Sequence, residues 1–265
     1  MKKLSLNYRR RIAVLVWLRW ATLAVMVLAW FKLTGSSFWL IMGMLLVWLI
    51  PLDQWVLSMR RQFIRDAHFP PFLKKKVMDA HPGLTERDVE LVFRGLRQFF
   101  MAHLRSQRKF VAMPSKVVDT AWHEFILHTK AYQQWCESAF GRMLHHTPAE
   151  VLGRDPKRND GLRRSWFWSC KEESIDPRKP TRLPLLFALD GKFKIAGGFS
   201  YVPDCKAIDQ QSGSTAYCGS DFSAGSDSGG ASGDAEGLGG SDASSGDGGG
   251  GSDGGCGGGC GGGGD

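Results

Sequence analysis

The sequence predicts a mainly α-helical protein: a two-helix transmembrane hairpin followed by a mostly helical cytosolic domain with one β-hairpin and a disordered Gly-rich tail. Three observations carry this prediction. Two long apolar runs lie near the N-terminus, apolar residues recur at helical spacing between residues 84 and 136, and Gly, Ser and Asp dominate the last part of the chain. The corresponding boundaries are 1–58, 59–209 and 210–265.

The apolar runs, at about 12–31 and 38–57, are each long enough to cross a membrane as a helix. Twenty helical residues rising about 1.5 Å each match the ~30 Å hydrocarbon core of a bilayer. Five basic residues precede the first run and six follow the second, whereas the polar break at 34–37 carries no charge. The positive-inside rule therefore predicts a multi-pass protein of the inner (cytoplasmic) membrane with both termini in the cytoplasm.

Arg19 lies inside the first apolar run. A charge near mid-membrane costs about 2.5–3.5 kcal/mol on insertion scales. Two arrangements would lower this cost. The side chain could extend toward the cytoplasmic interface, or it could pair with Asp53, which lies near the same side of an antiparallel hairpin.

Charge is distributed unevenly along the chain. The first 218 residues contain 34 Lys and Arg and 18 Asp and Glu, whereas residues 219–265 contain eight acidic residues and no Lys or Arg. This balance favours anionic partners, namely phospholipid headgroups, nucleic acid or the chain's own acidic tail, and the sign of the charge does not choose among them. Together with the membrane hairpin and the flexible tail, we expect a lipid bilayer with anionic headgroups and other proteins as partners, and we do not expect nucleic acid. A cytosolic location predicts that the six cysteines stay reduced.

Two helices are predicted in the cytosolic part. Thr85 is the expected N-cap of the first, and the apolar residues from Val89 to Leu104 follow at helical spacing, with His103 packed among them. The second starts at Pro114-Ser115 and carries a core-facing stripe about 18 residues long that ends at Cys136.

The later part of the chain changes character twice. Asp190-Gly191 separates two apolar runs, which predicts a β-hairpin near 185–195. After residue 210 the Gly-rich composition offers little apolar surface to offset the entropy of ordering, which predicts a disordered tail.

The residues between 119 and 146 include a candidate metal site. Asp119 and His123 are four residues apart and share a helix face, so they could bind one ion, or Asp119 could orient the His123 ring. A further ligand must come from elsewhere, and a turn near Gly141 could fold a second histidine back. Imidazole and carboxylate ligands favour zinc. The predicted metal ligands are Asp119, His123, His145 and His146.

The neighbouring residues have structural interpretations beside functional ones. His128 lies about 140° around the helix from His123, so it belongs to another face. A Cys–His nucleophile pair is conceivable, but the position of Cys136 on the apolar stripe favours a buried thiol. The structural or possible site residues are Trp122, His128, Tyr132, Cys136, Cys170 and Cys205, and the tail thiols are Cys256 and Cys260.

One sequence pattern resembles a known family. The pattern runs V-D-x-x-W-H, then Y-x-x-x-C, then H-H-x-P, and it is formed by Val118-Asp119, Trp122-His123, Tyr132, Cys136 and His145 to Pro148. It resembles the signature of the glycine-rich domain-containing protein family, in a bacterial, membrane-anchored version. The close match covers about 30 of 265 residues, and the resemblance implies little biochemistry.

Two functions are compatible with these observations. The first is a membrane-anchored cytosolic binding or assembly module. The alternative is a metal-dependent or Cys–His enzyme that uses the residues between 119 and 146. A non-catalytic role is favoured, because the His spacing matches none of the compact zinc motifs such as H-E-x-x-H.

Overall fold

The computed structural model of the chain describes residues 2–32, 36–146, 160–203, 217–219 and 222. Within them the chain is mainly helical, as predicted, and contains one two-stranded sheet. Except at 217–219 and 222, the tail predicted to be disordered lies outside the described residues. The elements in chain order are α1 (Lys2–Lys32), α2 (Ser36–Asp66), α3 (Pro71–Ala80), α4 (Glu86–Arg105), α5 (Lys116–Leu127), α6 (Thr129–Ala139), α7 (Asp160–Glu172), α8 (Leu185–Phe193), β1 (Tyr201–Val202) and β2 (Tyr217–Cys218).

Helices α1 and α2 pack against each other as an antiparallel hairpin with an exposed apolar surface. The segments Tyr8–Trp30 and Met42–Asp66 are long and apolar enough to cross a membrane, and 11% of the most apolar part of each is buried. Tryptophans such as Trp17 and Trp39 are largely exposed on this surface. A core helix of a soluble domain would instead bury such side chains.

Arg19 contacts Asp53 across the hairpin. Its Nη1 lies 2.9 Å from Asp53 Oδ1, and both side chains are about half exposed. Of the two arrangements expected for Arg19, the ion pair is therefore the one observed.

The hairpin continues into the helical domain that follows it without a break. Helix α2 extends past the predicted apolar run to Asp66, and Phe63 and Ile64 near its end are buried in the domain core. The Tyr8 hydroxyl of α1 donates to Asp66 Oδ2 at 2.8 Å. The same helix thus belongs to the hairpin at one end and to the core at the other.

Helix α4 lies at the centre of the domain and packs against α2, α3, α5, α7 and α8. Its predicted start is confirmed, since Thr85 and Asp88 form a reciprocal capping box. The predicted apolar stripe from Val89 to Leu104 is buried, and His103 is buried within it as expected.

The single helix expected to carry the stripe up to Cys136 is two helices. The chain bends at His128, which has φ −89° and ψ 60° and stands between α5 and α6. Because of this bend, α6 packs against α2, and the ring of Trp135 lies 5.7 Å from that of Phe63. The side chains of Trp122, Phe125, Tyr132 and Cys136 are nevertheless all buried, as the stripe predicted.

The β-hairpin predicted near 185–195 is wrong. The segment forms α8, which ends at Phe193 and is followed by Lys194 in a left-handed conformation (φ 51°). No β-branched residue occurs in this helix, and its exposed Gly191 has open space around it. The buried side chains of α8 are Leu186, Phe187, Leu189 and Asp190.

The folded part of the chain extends beyond the boundary expected at residue 209. Strand β1 pairs in parallel with β2, with Tyr201 opposite Tyr217. Phe222 is buried, and its ring lies 5.8 Å from that of Trp166 and 6.1 Å from that of Phe187. Strand β2 and Phe222 therefore pack against the domain in a part of the chain whose composition alone indicates disorder.

Candidate metal site

Helix α5 is fixed at its N-terminus by a buried carboxylate of α8. Asp190 is 3% exposed. It accepts hydrogen bonds from the backbone N–H groups of Lys116 (2.7 Å), Val117 (3.1 Å) and Phe199 (3.0 Å), and from the Ser115 hydroxyl (2.8 Å). A negative charge at a helix N-terminus is stabilised by the helix dipole and by the free N–H groups there. The start of α5 is thereby locked to α8.

Asp119, in the first half of α5, lies between the side chains of two histidines. Its Oδ2 lies 3.4 Å from His123 Nδ1, and its Oδ1 lies 3.1 Å from His146 Nε2. The two imidazole rings are 4.2 Å apart, centroid to centroid. The side chains of Asp119, His123 and His146 are 30%, 53% and 18% exposed, so the cluster is open to solvent on one side.

Trp122 and Tyr132 hold the segment that carries His146. Trp122 Nε1 donates to the Tyr132 hydroxyl at 3.0 Å, and that hydroxyl donates to the carbonyl of Leu144 at 2.6 Å. Burial raises the pKa of Tyr132, so its hydroxyl stays protonated and keeps donating. Since Leu144 is two residues before His146, this relay fixes the position of His146 against α5.

A cavity of about 210 Å³ lies beside the cluster. Asp119, Trp122 and His146 form one part of its wall, and Lys116 lies at its edge with Nζ donating to the carbonyl of Ala196 at 2.8 Å. The rest of the wall is mainly apolar, with Phe110, Val111, Ala112, Met113, Leu144 and Phe199. The cavity therefore suits a small ligand with an apolar body that approaches the Asp and His side chains.

The structure brings together three of the four predicted ligands. One ligand atom from each of Asp119, His123 and His146 lies within 4.8 Å of the other two. The expectation that one histidine of the His145-His146 pair folds back against α5 is met by His146. His145 is exposed and contributes to the cavity wall without joining the cluster. His128 lies on another face, as expected, with its ring 3.7 Å from that of Phe72.

The described cysteines named as possible site residues are buried thiols. Burial raises the pKa of Cys136, and it raises the pKa of Cys170 to about 12. Both are therefore protonated at neutral pH and lack the thiolate that a nucleophile requires. Cys205, Cys256 and Cys260 lie outside the described residues.

The geometry of the cluster fits a metal ion. A tetrahedral zinc ion bound at about 2.0–2.2 Å holds its ligand atoms about 3.4 Å apart. His146 Nε2 and His123 Nδ1 lie 3.1 and 3.4 Å from the two different oxygens of Asp119, and one ligand atom from each residue lies within 4.8 Å of the other two, so small side-chain movements would bring the three atoms to that spacing. Three protein ligands leave a fourth position free, which is the arrangement of catalytic rather than structural zinc sites. Two histidines and one carboxylate also suit Fe(II).

Sequence reasoning missed Asp190 and the Trp122–Tyr132–Leu144 relay. Trp122 and Tyr132 belong to the V-D-x-x-W-H and Y-x-x-x-C pattern, so the pattern was the available signal for two of the three relay residues. For Asp190 the only local sign is an acid that directly follows the apolar run Leu185–Leu189. Its partners are 73–75 residues earlier in the chain, apart from Phe199.

Comparison with known proteins gives a family. No curated protein and no solved structure matches the chain significantly. A family model described as UCP032817-like matches residues 59–222, which begin near the end of α2 and reach the buried Phe222. The match covers the helical domain that follows the hairpin and more than half of the chain, and the chain therefore belongs to the UCP032817-like family.

Proposed function

We propose that this protein is a membrane-anchored binding module whose hairpin crosses the inner membrane twice and leaves both termini in the cytoplasm. Support comes from the exposed apolar surface of α1 and α2 and from the basic residues at both cytosolic flanks. The continuity of α2 with the domain core would hold the domain at a fixed distance from the bilayer. Other proteins as partners, and kinship with the glycine-rich domain-containing family, stay predictions.

Reporter fusions test this topology. Alkaline phosphatase fused after Asp265 should be inactive, because the enzyme needs the oxidising periplasm to form its disulfides. The same reporter inserted at Gly35, between the two helices, should be active. Activity at Asp265 together with inactivity at Gly35 would reverse the proposed orientation.

The function that the geometry supports best for the cytosolic domain is the binding of a divalent metal ion, with zinc favoured by the ligand set. The observation that carries this proposal is the convergence of Asp119, His123 and His146 within 4.8 Å. Asp119 and His123 are supplied by α5, whose start is locked by Asp190, and His146 is held by the Tyr132–Leu144 hydrogen bond. Such prior positioning lowers the ordering cost of binding.

Metal analysis of the full chain in detergent tests this proposal. We expect one zinc per chain after loading and dialysis of the wild-type protein, and less than a stoichiometric amount after His146→Ala. His145→Ala is a matched control, because His145 is adjacent in sequence and lies outside the cluster. Equal zinc contents of the two variants would contradict the site.

A second candidate function is metal-dependent catalysis. It is favoured by the cavity of about 210 Å³ that adjoins the ligand cluster, since a free fourth position there could bind water or substrate. Cobalt substitution separates the two roles. A visible spectrum that changes on addition of acetohydroxamate would indicate an accessible metal position, and an unchanged spectrum would favour binding alone. The Cys–His form of the enzyme hypothesis has no support from the protonated, buried Cys136.

A further inference from the structure

Three arginines converge where the cytosolic domain meets the hairpin. We call Arg60 of α2, Arg108 after α4 and Arg142 after α6 the arginine cluster. Arg142 Nη2 donates to the backbone carbonyl of Arg108 at 2.9 Å, which brings the two segments together. Partial burial and the charges of Arg142 and Arg19 lower the pKa of Arg108, and its charge also repels that of Arg60. The cluster therefore brings three positive charges together, and their mutual repulsion is unfavourable unless an acceptor or an anion compensates it.

Arg60 lies at the base of the cluster and is 6% exposed. Its Nη1 donates to the carbonyls of Glu137 and Ser138 in the last turn of α6, at 3.3 and 3.4 Å. Gly141 lies directly over the guanidinium, with φ +81°, and a Cβ at this position would be 2.8 Å from Arg60 Nη2. The glycine thus allows the chain to pass over a buried cation.

Carboxylates do not neutralise this charge within the described residues. Other arginines there form ion pairs, such as Arg19 with Asp53 and Arg105 with Glu172, but no described carboxylate pairs with a member of the arginine cluster. The Nε of Arg60 is buried and also lacks a partner among the described residues. The carbonyls at the end of α6 compensate the charge of Arg60 in part. Three cations close together are still unfavourable, so an anion bound beside Arg108 and Arg142 would stabilise the arrangement.

The position of the cluster indicates which anion. Arg60 lies in α2 three residues beyond the apolar run that ends at residue 57, so the cluster lies next to the apolar segment. The exposed apolar side chain of Met143 directly follows Arg142. Basic residues next to apolar ones at the end of a membrane helix match the chemistry of a lipid headgroup with its acyl chains.

We propose that the arginine cluster binds the phosphate group of an anionic phospholipid in the leaflet that faces the domain. This inference rests on the proposed membrane anchorage but not on the metal site. Arg60 forms the base of the site, and Arg108 and Arg142 form its opening. The protein would then contact the bilayer twice, through the apolar hairpin and through a specific headgroup, which fixes the orientation of the domain on the membrane.

Native mass spectrometry of the full chain in detergent, titrated with phosphatidylglycerol, tests the proposal. The double variant Arg108→Gln/Arg142→Gln should bind the first lipid about 30-fold more weakly, which corresponds to about 2 kcal/mol for two cations. The charge-matched control Arg87→Gln/Lys192→Gln removes two exposed cations, one of them at the opposite end of α4, and should bind like the wild type. Thermal unfolding checks that both double variants are folded.

The outcomes separate the sources of phosphate. Retention of phosphatidylglycerol in the presence of a large excess of inorganic phosphate supports a lipid site. Complete displacement by inorganic phosphate, with the same dependence on Arg108 and Arg142, would overturn the lipid assignment. Equal lipid binding by the wild type and the double variant would overturn the site itself. If the double variant does not fold, the single variant Arg142→Glu, at an exposed side chain, provides the same comparison.

Orientation in the membrane does not affect binding in detergent. Failure of the reporter fusions would therefore leave the arginine dependence intact, and loss of that dependence would leave the topology intact.

Discussion

Two aspartates lie at helix α5, Asp119 within it and Asp190 of α8 against its start, and they differ in their hydrogen-bond partners. Asp190 is buried and accepts four hydrogen bonds, three of them from backbone N–H groups that are permanent donors. Asp119 is 30% exposed and contacts two imidazoles, whose protons can be replaced by a metal ion. A carboxylate whose partners are backbone N–H groups stabilises the fold and has no free lone pair for a ligand. A carboxylate whose partners are imidazoles can bind a metal ion together with them.

The same contrast separates two histidines. His103 is buried in α4, with Nδ1 3.1 Å from the carbonyl of Lys109, and it packs against Phe140. His146 lies at the surface between Asp119 and the ring of Trp122. Burial with a permanent partner therefore assigns Asp190 and His103 to the fold, and partial exposure beside a cavity assigns Asp119 and His146 to the candidate site.

The largest effect is expected from Asp190→Ala. It leaves the N–H groups of Lys116, Val117 and Phe199 without their acceptor, and unsatisfied buried donors at a helix start should reduce the free energy of unfolding by at least about 3 kcal/mol. Thermal unfolding of the full chain in detergent measures the loss. Asp79→Ala, at an exposed aspartate of α3, is the control and should change stability by less than about 0.5 kcal/mol. Similar melting temperatures for the two variants would show that Asp190 does not stabilise the fold.

The next effect depends on pH and comes from His103. Burial lowers its pKa to about 4 from an ordinary value of 6.5. Between these values the unfolded chain binds a proton that the folded chain does not, so stability should fall as the pH decreases from about 6.5 to about 4, and should level off below that. The total decrease in the free energy of unfolding over this pH range is about 3 kcal/mol.

His103→Gln measures this contribution, because Gln keeps a donor for the Lys109 carbonyl and does not titrate. The difference in melting temperature between pH 7.5 and pH 5 should be smaller for the variant than for the wild type. The same difference in both proteins would mean that groups other than His103 control acid stability.

Local patterns predicted most of the fold. The capping box at Thr85 and the apolar period of α4 depend on residues within one or two turns, and both were found where the pattern put them. The exposed hairpin also follows from composition alone. What the patterns could not supply were contacts between distant segments. Asp190-Gly191 has the composition of a turn, but the segment forms α8, whose apolar side chains pack in the core and whose Asp190 accepts hydrogen bonds from the start of α5.

In the candidate site, too, the local pairs were predictable from the sequence and the contacts between distant segments were not. The four-residue spacing placed Asp119 and His123 on one face, and this pairing is observed. The choice of His146 rather than His145 depends on the hydrogen bond from Tyr132 to Leu144, which joins α6 to a loop twelve residues later. Phe222 is a further case, since a single aromatic residue in a Gly-rich segment gives no periodic signal.

The third prediction concerns the relay that positions His146. Tyr132→Phe removes a hydroxyl that joins Trp122 to the Leu144 carbonyl, and it should cost about 1–3 kcal/mol because a buried donor and a buried acceptor lose their partners. Zinc affinity should also fall by about 10- to 100-fold, as for outer-shell partners of metal ligands. Reduced stability with unchanged zinc affinity would mean that the relay supports the fold without positioning His146.

The smallest effect on stability, and the largest on metal binding, is expected from Asp119→Asn. The amide keeps the size of the side chain and one oxygen acceptor, and the position is partly exposed, so the free energy of unfolding should change by less than about 1 kcal/mol. The anionic oxygen that a divalent ion requires is lost, and zinc affinity should fall by at least about 100-fold.

Asp190→Asn is the matched substitution on the other carboxylate, and it places an amide donor against backbone N–H donors. It should therefore reverse the order, with a large loss of stability and little change in zinc affinity for the protein that remains folded. Melting temperatures and zinc titrations of the two variants measure both quantities. If both variants lose stability and zinc affinity together, the two aspartates act as one structural unit, and the distinction between a fold-holding and a ligand-binding carboxylate on α5 does not hold.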